Sequence, residues 1–276
     1  MSASPSPSPV SSLVSRLRAA GCVFAEEEAE LLLAAAGSPT ELASMLERRV
    51  HGLPLEHVVG WAGFRGLRIA VDPGVFVPRR RTEFLVEQAV ALTPPGAVAV
   101  DLCCGSGALG AALAAAVEGV ELYAADLDPA AVRCARRNLP AERVYEGDLF
   151  APLPTELRGR VQLLLANVPY VPTGEIGLLP SEAREYEARV ALDGGADGLD
   201  VLRRVAAAAP GWLAPGGHLL FETGERQTEH AVAAVRRSGL AARVATCEER
   251  YATVVIATRP ATAVDAAPRA GEATSR

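Results

Sequence analysis

The apolar run Ala97 to Leu102, broken only by Asp101, passes through Cys103-Cys104-Gly105-Ser106-Gly107 into the alanine-rich stretch Ala108 to Val117. A buried strand, a glycine turn and a helix in that order are the opening unit of a parallel α/β sheet, and the bare turn lets a ligand lie against backbone. The pattern then repeats. Val120 to Ala125, Arg143 to Glu146, Val161 to Ala166 and His218 to Glu222 read as further strands. Leu199 to Trp212 and Arg226 to Ser238 read as helices, with a turn at Pro215-Gly216-Gly217. Leu240 to Cys247 and Thr253 to Thr258, joined by the short Glu248 to Ala252, predict a closing antiparallel hairpin.

Acidic residues end three of these strands. Gly105, Gly107 and Gly110 satisfy the dinucleotide spacing GxGxxG, with Asp126 at the end of the next strand, but the match is weak in so Ala/Gly-rich a chain. Asp101 beside the loop would repel a pyrophosphate and could pair with an ammonium. Asp148, in Glu146-Gly147-Asp148-Leu149, suits the exocyclic amine of an adenine. Any one of these is commonly a solvated Asp at a strand end. Three in successive units favour a cationic adenosine cofactor, S-adenosyl-L-methionine, over NAD.

The strand Val161 to Ala166 runs into Asn167-Val168-Pro169-Tyr170. A planar NH2 group, as in glutamine or adenine, needs two acceptors for its hydrogens and a flat apolar surface beneath it. The Asn167 side chain and the Val168 carbonyl supply the acceptors and Tyr170 the surface. Taken alone the tetrad reads more readily as a strand end with Asn167 in a turn. The loop and carboxylates upstream tip the balance.

These motifs together resemble those of the HemK-type glutamine methyltransferases. The resemblance rests on Asp101-Leu102-Cys103-Cys104-Gly105-Ser106-Gly107, Asp126, Asp148-Leu149-Phe150 and Asn167-Val168-Pro169-Tyr170, and most specifically on Ala191 to Leu199. It extends over roughly residues 55 to 258, taking in Gly60, Phe64, Gly66-Leu67, Pro78-Arg79 and Thr82-Glu83. It implies a seven-stranded, Rossmann-like S-adenosylmethionine-dependent sheet with a small helical N-terminal domain. It also implies methylation of a glutamine side-chain amide in a protein, a peptide-chain release factor being the family's target.

By the same resemblance the cofactor residues are Asp101, Cys103, Cys104, Gly105, Ser106, Gly107, Asp126, Asp148, Leu149 and Asn167, and the catalytic ones Asn167, Val168, Pro169 and Tyr170. Three departures mark a divergent branch. Val168 stands where the family has proline, Cys103 where it has the first loop glycine, and Arg80-Arg81 where it has proline and an acidic residue. Val168 keeps the carbonyl but loses the fixed φ of proline, and Cys103 is expected to avoid a glycine-only conformation. Three other classes stay open: an adenine-directed nucleic-acid methyltransferase, an NAD-dependent enzyme and a non-catalytic S-adenosylmethionine-binding protein.

The rest of the chain frames this unit. Met1 to Pro9 alternates Ser and Pro, and 261 to 276 has no periodicity, so both tails are expected to be disordered. Residues 10–60 carry helical spacing over Val10 to Ala20, Ala25 to Ala36 and Pro39 to Val50, with Leu13, Leu17, Leu31, Leu42, Met45 and Leu46 inward, and predict a helical module that covers the catalytic sheet; the family resemblance implies that it recognises the protein substrate. Residues 61–80 predict a β-hairpin linker turning at Asp72-Pro73-Gly74, and 81–260 the methyltransferase domain.

All 27 basic residues are arginine and the net charge is -6, a poor balance for nonspecific nucleic-acid binding. The five cysteines include no CxxC pair, and Cys103 and Cys104 read as small packing residues, so no metal is expected. Neither a membrane-length apolar stretch nor a basic-then-apolar leader is evident, and a cytoplasmic monomer is expected.

Overall fold

The computed structural model describes residues 9–261; the Ser/Pro tail, apart from Pro9, and the 262–276 stretch lie outside the described residues. Four helices, α1 (Pro9–Ala19), α2 (Ala25–Ala35), α3 (Pro39–Val50) and the short α4 (Leu55–Val59), form the N-terminal module. Ser38 starts α3 as its sequence suggests: its Oγ accepts from the Glu41 N–H at 3.1 Å, with Pro39 in the first turn. Leu13, Leu17, Leu32, Met45 and Leu46 close a separate small core. Leu32 takes the inward place expected for Leu31, which is half-buried, because the buried face of α2 runs through Ala25, Ala29 and Leu32. Arg49 is nearly buried and grips Glu28 through two bonds, Nε to Oε2 at 2.6 Å and Nη2 to Oε1 at 3.0 Å.

The hairpin lies earlier than its strongest turn signal suggests. β1 (Trp61–Phe64) pairs antiparallel with β2 (Leu67–Ala70), and the two-residue loop is Arg65-Gly66. Both loop residues have positive φ, 48° and 77°, which matches the twist that two-residue hairpins require. Asp72-Pro73-Gly74 is instead the next turn, closed by the Val75 N–H on the Asp72 carbonyl at 3.1 Å, and it delivers Val75, Phe76 and Pro78 to the cavity described below.

After α5 (Glu83–Val90) come β3 (Val98–Leu102), α6 (Ala108–Ala116), β4 (Glu121–Asp126), α7 (Pro129–Ala135), β5 (Val144–Glu146) and β6 (Val161–Ala166). The second half comprises α8 (Ser181–Tyr186), α9 (Asp200–Trp212), β7 (Leu213–Glu222), α10 (Thr228–Arg237), β8 (Ala241–Cys247) and β9 (Ala252–Thr258). The sheet order is β5-β4-β3-β6-β7-β9-β8. It is parallel from β5 to β7 and antiparallel where β9 enters between β7 and β8.

Both faces are covered. Leu163 and Leu165 of β6 pack with α5, α6 and α7, whereas Leu164 and Ala166 pack with α9 and α10. Pro215-Gly216-Gly217 falls inside β7, where the pairing with β6 slips between Leu213 and His218. The adjacent strands β3 and β6 are distant in sequence. They mark the point where strand order reverses, and a ligand crevice opens there at the carboxyl ends.

Candidate active site

A cavity of about 570 Å3 occupies that crevice. One end is walled by the loop after β3 and by the ends of β4 and β5; the other by the tetrad, the Arg79–Thr82 segment and the chain from Leu179 to Leu192. Cys103, Cys104, Gly105, Ser106, Asp126, Asp148, Leu149, Asn167, Val168, Pro169 and Tyr170 all line it. Asp101 and Gly107 do not.

At the loop end, Asp126 organises the backbone. Its Oδ2 accepts from the Gly105 N–H at 2.8 Å and its Oδ1 from the Asp128 N–H at 2.9 Å, while burial raises its pKa. Each oxygen keeps a lone pair for a ligand hydroxyl. Asp128 in turn caps α7 through the Ala130 N–H at 2.8 Å. Cys103 has φ +52°, in the left-handed region that favours glycine. The expectation that it avoids such a conformation is therefore corrected: the loop imposes the turn on cysteine, at a steric cost of about 1–2 kcal/mol. Gly107, at φ +79°, starts α6, and a Cβ there would lie 2.8 Å from Leu139.

Asp101 sits behind the loop, 1% exposed. Its Oδ2 accepts from the Gly110 N–H at 2.9 Å, and its Oδ1 is buried with no donor among the described residues. Burial pushes its carboxyl up to about 7, with the Gly110 bond opposing and Asp126 adding to the rise. Asp148 pairs with Arg204, which also lines the cavity.

At the other end, Asn167 Oδ1 is buried and has no hydrogen-bond donor among the described residues. Val168 and Pro169 are buried, and Tyr170 is half-buried. The Ala191 to Leu199 stretch braces the tetrad from behind. The Val171 N–H donates to the Leu192 carbonyl at 3.0 Å, and the Gly194 N–H to the Val171 carbonyl at 2.8 Å. Gln227 Nε2 bridges the Tyr170 and Asp197 carbonyls at 2.9 and 2.8 Å. Gly198, at φ +76°, passes so close to the Tyr170 carbonyl that a Cβ would overlap it. Gly194 likewise lies against the Pro169 carbonyl, so these two glycines are explained by backbone contact with the tetrad, whereas Gly195, at φ +89°, lies against the Asp200 side chain.

Sequence reasoning missed the polar cluster around the Tyr170 hydroxyl. That hydroxyl donates to Glu222 Oε1 at 2.9 Å and accepts from Arg81, while Thr82 Oγ1 donates to Glu222 Oε2 at 2.8 Å. Burial and the Glu222 charge raise the phenol pKa, so Tyr170 stays protonated at neutral pH. Glu222 had one visible signal: it is a carboxylate at the end of an apolar strand, as Asp101, Asp126 and Asp148 are.

The donor set fits an adenosine cofactor bearing positive charge. Asp126 and Asp148 supply carboxylates at the loop end, Asp148 already neutralises Arg204 there, and among the described residues a pyrophosphate would meet carboxylates with no free cation. Residues 66–176 match the family described as Methyltransferase small domain. The release factor glutamine methyltransferase of Geobacter sulfurreducens is 39% identical over 211 residues, covering 73% of this chain and 72% of that protein. The chain belongs to the release factor glutamine methyltransferase family.

Within this similarity lies a relative named for a different activity. The 4-amino-L-phenylalanine/4-methylamino-L-phenylalanine methyltransferase of Streptomyces pristinaespiralis is 37% identical over 210 residues, 73% of this chain and 71% of that one. A methyltransferase structure from Pyrococcus furiosus shares the fold, at 16% identity with a TM-score of 0.53 over 71% of this chain and 90% of that chain. The seven-stranded α/β sheet expected from the sequence is thereby established. As a member of this methyltransferase family, the chain uses S-adenosylmethionine as methyl donor.

Proposed function

We propose that this methyltransferase transfers a methyl group to the side-chain amide nitrogen of a glutamine in a protein, a peptide-chain release factor. The observation that carries the reading is the Asn167 Oδ1: a buried acceptor without a donor among the described residues, on the cavity wall beside Val168. Such an atom carries a desolvation cost of about 1–3 kcal/mol until a ligand N–H reaches it. An NH2 group bound to it and to the Val168 carbonyl would satisfy both acceptors, with Tyr170 alongside.

When bound, S-adenosylmethionine would supply an electrophilic methyl on its sulfonium, whose sulfur would keep the C–S electron pair and leave as a neutral thioether. The protein's own residues do the rest. An amide nitrogen is a weak nucleophile, and among the described residues no histidine lines the cavity while the Tyr170 phenol is held protonated, so positioning carries the catalysis. The two acceptors aim the nitrogen and stabilise the positive charge that grows on it. Its proton then passes to water.

We assign Asp126 and Asp148 to the cofactor hydroxyls and adenine amine, and Cys103 to Ser106 to close backbone contact. Asp101 acts through Gly110 and the loop. The helical module of residues 10–60 serves as the docking unit for the protein substrate, the hairpin of residues 61–80 links it to the 81–260 catalytic domain, and the chain works as a cytoplasmic monomer without stable nucleic-acid binding. The net charge of -6 supports the last point. Among the described residues no helix is long and apolar enough to cross a membrane.

A second reading follows from the Streptomyces pristinaespiralis relative, whose name gives an aryl NH2 as acceptor. The same two acceptors serve a flat aryl amine. One experiment separates the readings: the purified protein is incubated with radiolabelled S-adenosylmethionine and a lysate of its own organism, and labelled species are identified by mass spectrometry. Label on a release-factor glutamine amide is expected. Label confined to amino-acid-sized molecules would establish the aryl-amine reading, label in nuclease-sensitive material a nucleic-acid base, and label on lysine or arginine would reject the amide geometry.

A further inference from the structure

Arg81 closes on the tetrad from a different segment of the chain, and its position is one where the family pattern is acidic. Its Nε lies 2.7 Å from Glu222 Oε1, its Nη2 donates to the Tyr170 hydroxyl, and its guanidinium carbon stands 5.8 Å from the centre of the Tyr170 ring. Glu222 is 4% exposed; its Oε1 accepts from the Tyr170 hydroxyl and forms the ion pair with Arg81, and its Oε2 accepts from the Thr82 hydroxyl. The Tyr170 hydroxyl thus donates one bond and accepts one.

A phenol bonded on one side only can pivot about its ring axis. A phenol held between a carboxylate and a guanidinium has both directions set. Because Tyr170 borders the two proposed acceptors, a small tilt of its ring changes the surface on which a flat NH2-bearing group lies. We propose that Arg81 is a positioning residue for methyl transfer, fixing the angle of the Tyr170 ring through its hydroxyl and through Glu222. Arg81 exchanges no proton and forms no bond in the reaction. The proposal rests on the amide-methyltransferase reading for its kinetic arm alone.

The test compares wild type with Arg81→Ala, Arg81→Lys, Tyr170→Phe and the Arg81→Ala/Tyr170→Phe double variant, on the acceptor that the wild type labels. Misplacement of a reacting surface can cost about a hundredfold, so kcat in Arg81→Ala should fall at least about tenfold, with KM and the cofactor Kd within about twofold of wild type. Arg81→Lys should not restore kcat, because one ammonium cannot serve Glu222 and the hydroxyl together in the geometry of a guanidinium. In the Tyr170→Phe background, Arg81→Ala should cost no further kcat.

A raised KM at unchanged kcat would overturn the proposal in favour of direct substrate contact. An undiminished loss in the Tyr170→Phe background would place the effect elsewhere, and a lowered Tm with normal kcat would make Arg81 merely structural. A second measurement needs no substrate. In protein labelled with 13C-tyrosine, the Tyr170 ring signals are those that Tyr170→Phe removes from the five tyrosines, and they should shift in Arg81→Lys and Arg81→Ala. Unmoved signals overturn the proposal whatever the acceptor is, and this arm covers an Arg81→Ala protein that fails to fold. A wild type that labels no amide would sink the proposed function and leave the ring measurement to decide Arg81.

Discussion

Arg49 of the helical module lies 2.6 Å from Glu182, a residue on the wall of the cavity, while its other nitrogens hold Glu28 inside the module. One guanidinium therefore ties the module's core to the catalytic site, helped by the Tyr186 hydroxyl on the His51 carbonyl at 2.9 Å and by His57 Nε2 at 2.8 Å from the Val75 carbonyl. The two carboxylates are not equivalent. Glu28 is nearly buried, and Glu182 is 45% exposed.

Arg49→Ala should accordingly destabilise the protein by about 3–5 kcal/mol, because it strands the buried Glu28 charge. Glu182→Gln should cost no more than about 1 kcal/mol, since solvent screens that end of the network. Urea unfolding midpoints of the two variants check the ordering. Equal losses would mean that Glu28 is rescued by water.

Asn167→Ala should leave cofactor affinity intact and reduce methyl transfer about a hundredfold or more, the usual cost of one partner to developing charge. Calorimetry and single-turnover labelling measure the two quantities separately. Turnover equal to wild type would remove Asn167 from the acceptor site.

Strands and loops with local signatures were legible in the sequence: β6 spans Val161–Ala166 as its apolar run indicates, and the tetrad follows at the carboxyl end of that strand. The hairpin was displaced because Arg65 adopts a positive φ with no signature of its own, while Asp72-Pro73-Gly74 is a strong turn signal that the chain spends on the next bend. α4, five residues long, is too short to show a helical period. The Arg81–Tyr170–Glu222 cluster was hidden for a different reason. Its members come from three segments, with Thr82 and Glu222 140 positions apart, and only the fold brings them together.

Asp126 tests the cofactor end. Charge-assisted bonds to ligand hydroxyls are worth about 1.5–3 kcal/mol each, so Asp126→Ala should weaken S-adenosylmethionine binding at least about tenfold. Asp126→Asn keeps one acceptor oxygen and should fall between the two. Calorimetric dissociation constants for the three proteins decide this, and an unaltered value in Asp126→Ala would detach that carboxylate from the cofactor.

Asp101 predicts a pH dependence of stability in the cofactor-free protein. Its native pKa is raised by burial from an ordinary 3.8 to about 7, so between those values the folded state binds more protons than the unfolded state. Stability contributed by this group is therefore full at low pH and is lost as pH rises from about 4 to about 7, by up to about 1.4 kcal/mol per pH unit. Asp126 and Glu187, also raised by burial, slope the same way, so the wild-type curve alone does not isolate Asp101. The difference between wild type and Asp101→Asn does. Asparagine keeps an acceptor for the Gly110 N–H and cannot ionise, so its stability relative to wild type should climb across that window and level off above about pH 7, offset by whatever its amide hydrogens cost in the buried site. Urea unfolding of both proteins from pH 4 to 8 measures that difference, and a flat line would mean that water or a rearranged loop hydrates the Oδ1 that has no donor here.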